Sequence, residues 1–148
     1  MVELVRLEAS ALETVLELDA LCFAQEPFAA GWWHKAIAGE GAECWLLYRQ
    51  GRLQGYCLFS RVLDEAELLR IAVAPDQRGK GLATALLLHA QQALLKQGIV
   101  QLFLEVRASN RSAQALYQRC GWQPCGTRKE YYPLDAGRED ALLFSRQS

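Results

Sequence analysis

The chain has 148 residues, 51% hydrophobic and 22% charged, a composition that excludes a disordered or low-complexity protein and predicts one domain spanning 1–148. Sixteen basic residues against seventeen acidic ones leave a formal net charge of -1, so neither nucleic acid nor an anionic membrane is expected as a direct partner. No apolar run approaches the ~20 residues of a membrane helix, and Met1–Arg6 mixes acid with base and does not read as a secretory signal.

In chain order, Val2 to Leu7 reads as a first strand. Ser10-Ala-Leu-Glu13 fits a capping box and predicts a helix with Ala11, Val15, Leu18 and Cys22 on its buried side. Glu26-Pro27 ends that region. Gly31-Trp32-Trp33-His34 opens a shorter helix that runs out at Gly39 and Gly41. Cys44 to Tyr48 and Leu53 to Val62 form a hairpin through Arg49-Gln50-Gly51-Arg52, and Glu65 to Val73 adds a third strand. Leu82 to Gln97 is a long amphipathic helix, its apolar side read as Leu82, Ala85, Leu86, His89 and Ala93, with Gly98 as its cap. Val100 to Val106 is a short apolar strand, and Ser109-Asn110 can cap a helix running to Cys120. Trp122 to Tyr132 and Asp140 to Ser145 complete the strands. The strand–helix–strand unit from Glu67 to Val106 requires a parallel pair. The class is α/β or α+β: a mixed central sheet of about seven strands with helices on both faces.

The five cysteines, Cys22, Cys44, Cys57, Cys120 and Cys125, are odd in number and scattered, which suits reduced thiols in a cytoplasmic protein better than a disulfide framework. No Cys-x-x-Cys pair occurs, and His34 and His89 are far apart, so no metal site is expected. His34, Trp45 and His89 read as structural.

The segment richest in chemistry runs from Ile71-Ala72-Val73 through Arg78-Gly79-Lys80-Gly81-Leu82-Ala83-Thr84. A strand ends, a basic, glycine-containing loop follows, and a helix begins. Free N–H groups and the positive end of the helix dipole then converge on one place. A Walker A loop fails, because Ala74 stands where its first glycine belongs. A dinucleotide fingerprint fails at Thr84, and the turn follows an antiparallel meander. By pattern alone, a plain helix entry with two turn glycines and a pyrophosphate cradle remain equally open.

Arg78-x-x-Gly81-x-Ala83, placed after that strand, resembles the signature of the GNAT-fold N-acetyltransferases, and the order of elements is similar to theirs. Leu104-Glu105-Val106-Arg107-Ala108-Ser109-Asn110, Ala115-Leu116-Tyr117, Tyr131-Tyr132-Pro133 and Gly137-Arg138-Glu139-Asp140-Ala141 resemble the RimI-type branch. Enzymes of that branch acetylate the N-terminal alanine of the eighteenth small-subunit ribosomal protein, whose sequence begins alanine, arginine. The resemblance implies acetyl-CoA as co-substrate and that ribosomal N-terminus as protein partner. Backbone amides at Gly79, Lys80, Gly81, Ala83 and Thr84 would hold the pyrophosphate, with Arg78 and Leu82 in the same turn. Ile71, Ala72 and Val73 would pair with the pantetheine arm, provided the parallel strands splay.

Glu105 lies near the end of a strand that is otherwise apolar, where an ionised carboxylate needs a partner or a use. An ion pair with Arg107 is the structural alternative. The family resemblance makes Glu105 the general base and Tyr117 the general acid that returns a proton to the CoA thiolate. Tyr117 read without it is a packed aromatic. Asn110 is a helix cap by position and a cofactor contact by resemblance; both can hold together. Tyr131 and Tyr132 would shape the peptide cleft, while Trp32-Trp33 stand apart from the family's usual Pro-Trp pair, since Pro27 is followed by Phe28. An α-amine, with a pKa near 8, needs about 3 kcal/mol less deprotonation than a lysine near 10.4, which favours a lone carboxylate relay acting on an α-amine. No cysteine is paired with a histidine base, so direct transfer in a ternary complex is expected.

Overall fold

The computed structural model describes residues 1–24, 30–134 and 137–147. The elements are β1 (Val2–Arg6), a 3-10 turn (Ala9–Ala11), α1 (Leu12–Cys22), α2 (Ala30–Ala38), β2 (Ala42–Arg49), β3 (Arg52–Val62) and β4 (Glu65–Val73). A second 3-10 turn (Pro75–Gln77) leads to α3 (Leu82–Lys96), β5 (Gln101–Arg107), α4 (Arg111–Arg119), β6 (Gln123–Leu134) and β7 (Gly137–Gln147). The Glu26-Pro27 break and Phe28 lie outside the described residues.

The strands form one seven-stranded sheet in the order β1-β2-β3-β4-β5-β7-β6. Every neighbouring pair is antiparallel except β4 with β5. The β2–β3 hairpin turns through Gln50 and Gly51, both at positive φ (55° and 75°), as a two-residue turn matched to strand twist requires. One face is covered by α3 and α4, whose Leu86, Leu87, Leu94 and Leu116 join Leu102, Leu104 and Phe144 of the sheet. The other face packs Val15 and Leu18 of α1 and Trp33 of α2 against Leu46, Tyr56 and Leu58. The expected mixed sheet with helices on both faces is therefore the observed one.

Local expectations needed correction at two helices. The capping box at Ser10 does not form: Ser10 sits inside the 3-10 turn, and Ala11 is the N-cap of α1 without a side-chain bond. The Leu7 N–H still bonds the Cys44 carbonyl at 2.9 Å, so the chain leaves the sheet late and turns tightly before α1. In α3 the buried side is Leu82, Leu86, Leu87, Ala90, Gln91 and Leu94, while His89 is exposed and meets Trp45 edge-on at 4.6 Å. The run Leu82–Ala90 is apolar around most of its circumference, so periodicity alone could not orient it.

The feature that makes the site is a parting of parallel strands. β4 and β5 pair only at Glu65↔Gln101, Ala66↔Leu102 and Glu67↔Phe103. Beyond that, Arg70 to Val73 stay on β3 while Leu104 to Arg107 stay on β7. A bulge lies at the divergence: Phe59 pairs with Leu68 and Leu58 with Arg70, leaving Leu69 as the extra residue. A bulge bends its strand and increases local twist. Here it carries β4 away from β5 and turns Arg70 toward α1, where it pairs with Asp19 at 3.0 Å.

Candidate active site

The parted strands open a cleft of about 530 Å³. Ile71, Ala72 and Val73 line it from β4; Arg78, Gly79, Gly81, Leu82, Ala83 and Thr84 line it from the turn; Asn110 lines it from the far side. Lys80 does not line it and instead donates to Gln77 Oε1 at 3.3 Å. Arg78 Nε donates to the Val73 carbonyl at 3.1 Å, which clamps the turn to the strand end.

Gly81 is the N-cap of α3 at φ 77°, a left-handed conformation that only glycine adopts without strain. The Ala85 N–H bonds the Gly81 carbonyl at 3.1 Å, so the N–H groups of Leu82, Ala83 and Thr84 come before the helical ladder begins. Those amides and the end of a 15-residue helix form a cradle for an anion. The edge of β4 that leaves β5 supplies backbone groups for an extended ligand arm. The cleft thus fits both the pyrophosphate and the pantetheine of a CoA ester.

α4 contributes more than was foreseen. Asn110 caps it, its side-chain oxygen accepting from the Ala113 N–H at 3.2 Å. Asn110, Ala113, Leu116 and Arg119 all line the cleft, together with Ser112. Successive steps of three walk round the helix rather than along one side, so their shared place on the cleft was not legible from periodicity. Cys22 and Phe23, from the end of α1, also line the cleft and carried no signal. Burial pushes the Cys22 thiol up, against the pull of Arg78.

Glu105, Tyr131 and Tyr132, expected to act on the acceptor, are not among the residues that line this cleft. Leu102, Leu104 and Val106 are buried against α3 and α4, so Glu105 and Arg107 face the opposite side. Glu105 pairs with Arg128 of β6, Nε to Oε1 at 3.0 Å, and not with Arg107. Same-face neighbours on a strand lie roughly 7 Å apart, and Arg107 turns across the sheet to Glu139 at 3.5 Å and over the Tyr132 ring at 4.5 Å. Glu67, at the last paired position of β4, has its carboxyl pushed up by burial and by the Glu105 charge, against the pull of Arg128.

Tyr117 is buried on α4, its ring centroid 6.1 Å from that of Trp122 and 6.0 Å from that of Phe144. It does not line the cleft, although Leu116 beside it does. Burial, then the neighbouring Tyr132 and Cys120, push its phenol up, so it keeps its proton throughout the neutral range. Tyr131 is exposed and Tyr132 half-buried, their rings meeting edge-on at 5.0 Å.

A mixed sheet parted between its parallel strands, with a glycine-led helix entry at the gap, defines an acyl-CoA-dependent transferase fold. The chain belongs to the acetyltransferase (GNAT) family, whose model matches residues 9–122, and acetyl-CoA is its acetyl donor. It is 40% identical over 139 residues to the [ribosomal protein bS18]-alanine N-acetyltransferase of Escherichia coli K12, covering 92% of this chain and 94% of that one. It is 32% identical over 144 residues to the enzyme of the same name from Haemophilus influenzae, covering 95% and 94%. The crystal structure of the ribosomal-protein-S18-alanine N-acetyltransferase from Escherichia coli superposes with a TM-score of 0.85 at 35% identity, covering 99% and 94%. A spermidine N-acetyltransferase from Vibrio cholerae, solved with CoA and spermine, shares the fold with a TM-score of 0.83 at 21% identity. Among the described residues no helix is long and apolar enough to cross a membrane.

Proposed function

We propose that this chain acetylates the N-terminal alanine α-amine of the eighteenth small-subunit ribosomal protein, in the cytoplasm, by direct transfer within a ternary complex. The observation that carries this reading is the 40% identity, across 92% of the chain, to an enzyme named for that reaction. Five free cysteines and a ribosomal acceptor suit the cytoplasm.

Bound acetyl-CoA supplies an acetyl thioester. The amides of Gly79, Gly81, Ala83 and Thr84 hold its pyrophosphate, with Arg78 adding charge, and Ile71 to Val73 align its arm. Glu105 accepts the proton that the acceptor amine releases as its nitrogen bonds to the acetyl carbon. Tyr117 returns a proton to the sulfur as the carbon–sulfur bond breaks, leaving a neutral thiol and amide. Burial keeps a proton on the phenol and also makes it a weaker acid, so this role requires bound acetyl-CoA to bring its sulfur to the hydroxyl. Tyr131 and Tyr132 flank the acceptor. Cys22, its thiol pushed up, is held against the Val73 carbonyl and suits packing better than nucleophilic attack.

The test is a peptide beginning Ala-Arg, incubated with protein and acetyl-CoA, with products located by mass spectrometry. Acetyl on the α-amine is expected. The same peptide with a blocked N-terminus and an added lysine should react far more slowly. Label chiefly on lysine side chains, or on small free amines alone, overturns the N-terminal assignment.

A further inference from the structure

The β6 strand carries an irregularity that no requirement of the sheet explains. Arg128 pairs with Ala141 and Tyr132 with Glu139, so Lys129, Glu130 and Tyr131 all stand opposite Asp140. Glu130 takes a left-handed φ of 53°, uncommon for a residue with a side chain. Its N–H donates to Asp140 Oδ1 at 2.9 Å, which pins the distorted segment. Such bulges re-aim side chains beside active sites.

What this one aims is Arg128. β7 lies between β6 and β5, so Arg128 must span a whole strand to reach Glu105. It does so at 3.0 Å through Nε, with its guanidinium carbon 5.3 Å from the centre of the Tyr131 ring. That lies within the range of a cation–π contact. The Arg128 side chain is 55% exposed and that of Glu105 20%. Ion pairs so exposed add little to stability. A pinned bulge, an aromatic stack and a spanning arginine are a large investment in an interaction that stabilises so little. The bond goes to Oε1 of Glu105, and the second carboxylate oxygen remains to take a proton.

We infer that Arg128 is a positioning residue for acetyl transfer: held by the Asp140-pinned bulge and by Tyr131, it fixes the orientation of the Glu105 carboxylate toward the acceptor amine. It touches neither acetyl-CoA nor the amine and acts through Glu105. The charge of Arg128 is also felt at Glu67, which places the guanidinium among the carboxylates at the point where the strands part. This inference rests on the assignment of Glu105 as base.

The test is a double-mutant cycle in steady-state kinetics. Arg128→Met should lower kcat roughly ten- to a hundredfold, the scale of a misplaced reacting group, with the KM for acetyl-CoA unchanged. Arg128→Lys should recover part of the loss. In a Glu105→Gln background, Arg128→Met should cost nothing further. Asp140→Ala, which leaves Arg128 in place and releases the bulge, should lower kcat in the same direction and also lose its effect in the Glu105→Gln background. An equal loss from Arg128→Met with and without Glu105 overturns the inference, as does an unchanged kcat. These ratios are read on whichever amine the wild-type protein acetylates. Failure on the Ala-Arg peptide alone therefore counts against the acceptor assignment, and an additive cycle counts against Arg128.

Discussion

The two sides of the proposed active site are built from different materials. The donor wall is mostly backbone: amides at the start of α3, a left-handed Gly81 and the parted edge of β4. The proposed acceptor wall, whose residues do not line the cleft of about 530 Å³, is mostly side chain: Glu105 on β5, Arg128 and Tyr131 on β6, and Arg107 bonded to Glu139 of β7. A backbone site depends on local conformation and tolerates many side chains. A side-chain site depends on which strands are neighbours, and each member has a specific partner to lose. Substitutions on the donor wall should therefore act on acetyl-CoA binding, and those on the acceptor wall on turnover.

The largest effect is expected from Gly81→Asp. A Cβ there meets no protein atom within 4 Å, so the fold should survive, and circular dichroism should show it unchanged. The φ of 77° adds strain, and the carboxylate opposes the pyrophosphate. Calorimetry should detect no acetyl-CoA binding; normal affinity would break the donor-wall assignment.

Next is Glu105→Gln, which keeps the shape and removes the base. kcat should fall by the ~10²–10⁴ typical of general acid–base groups, with acetyl-CoA affinity intact. Tyr117→Phe should also lower kcat and spare affinity, since its ring packing with Trp122 and Phe144 is retained. Near-normal turnover in both variants would leave them as a sheet carboxylate and a core aromatic.

A smaller effect belongs to Asn110→Ala, which removes the α4 cap and should cost about 1 kcal/mol in denaturant unfolding. Because Asn110 also lines the cleft, acetyl-CoA should stabilise the variant less than the wild type. Equal stabilisation of both would separate the cap from the donor wall.

The smallest concerns Glu139. The Ser109 N–H and hydroxyl, and then Arg107, hold its carboxyl below the ordinary 4.5. Its folded pKa is thus the lower one, so its contribution is complete above about 4.5 and fades as pH falls through the folded value. Glu139→Gln should flatten the stability curve on that acid side alone, read by thermal unfolding at a series of pH values. The difference between wild type and variant should be full at neutral pH and shrink toward acid; a difference that grows toward acid would contradict the sign.

The donor wall was largely legible in the sequence because its signals are contiguous. Residues from Ile71 to Thr84 announce strand, turn and helix within one short stretch, and of those singled out there only Lys80 misses the cleft. The Asn110 cap was legible for the same reason. The acceptor wall was legible only as residue types. Glu105 looked anomalous in an apolar strand, and the ion-pair alternative offered Arg107 two residues away, whereas its partner is Arg128, on a strand two places across the sheet. Ser10 shows the converse, a local capping pattern overruled by how late the chain leaves β1.

By itself the sequence determined the class of the fold, the alternation of elements and the strand–turn–helix entry at Gly81, because hydrophobic period, glycine position and helix entry act over neighbouring residues. Only the tertiary structure decided where β4 leaves β5, which side of α3 is buried, and that Arg128 rather than Arg107 meets Glu105. The first and last depend on pairing register and on the bulges at Leu69 and at 129–131, and the second on packing against the sheet; none of these is fixed by residue type along the chain.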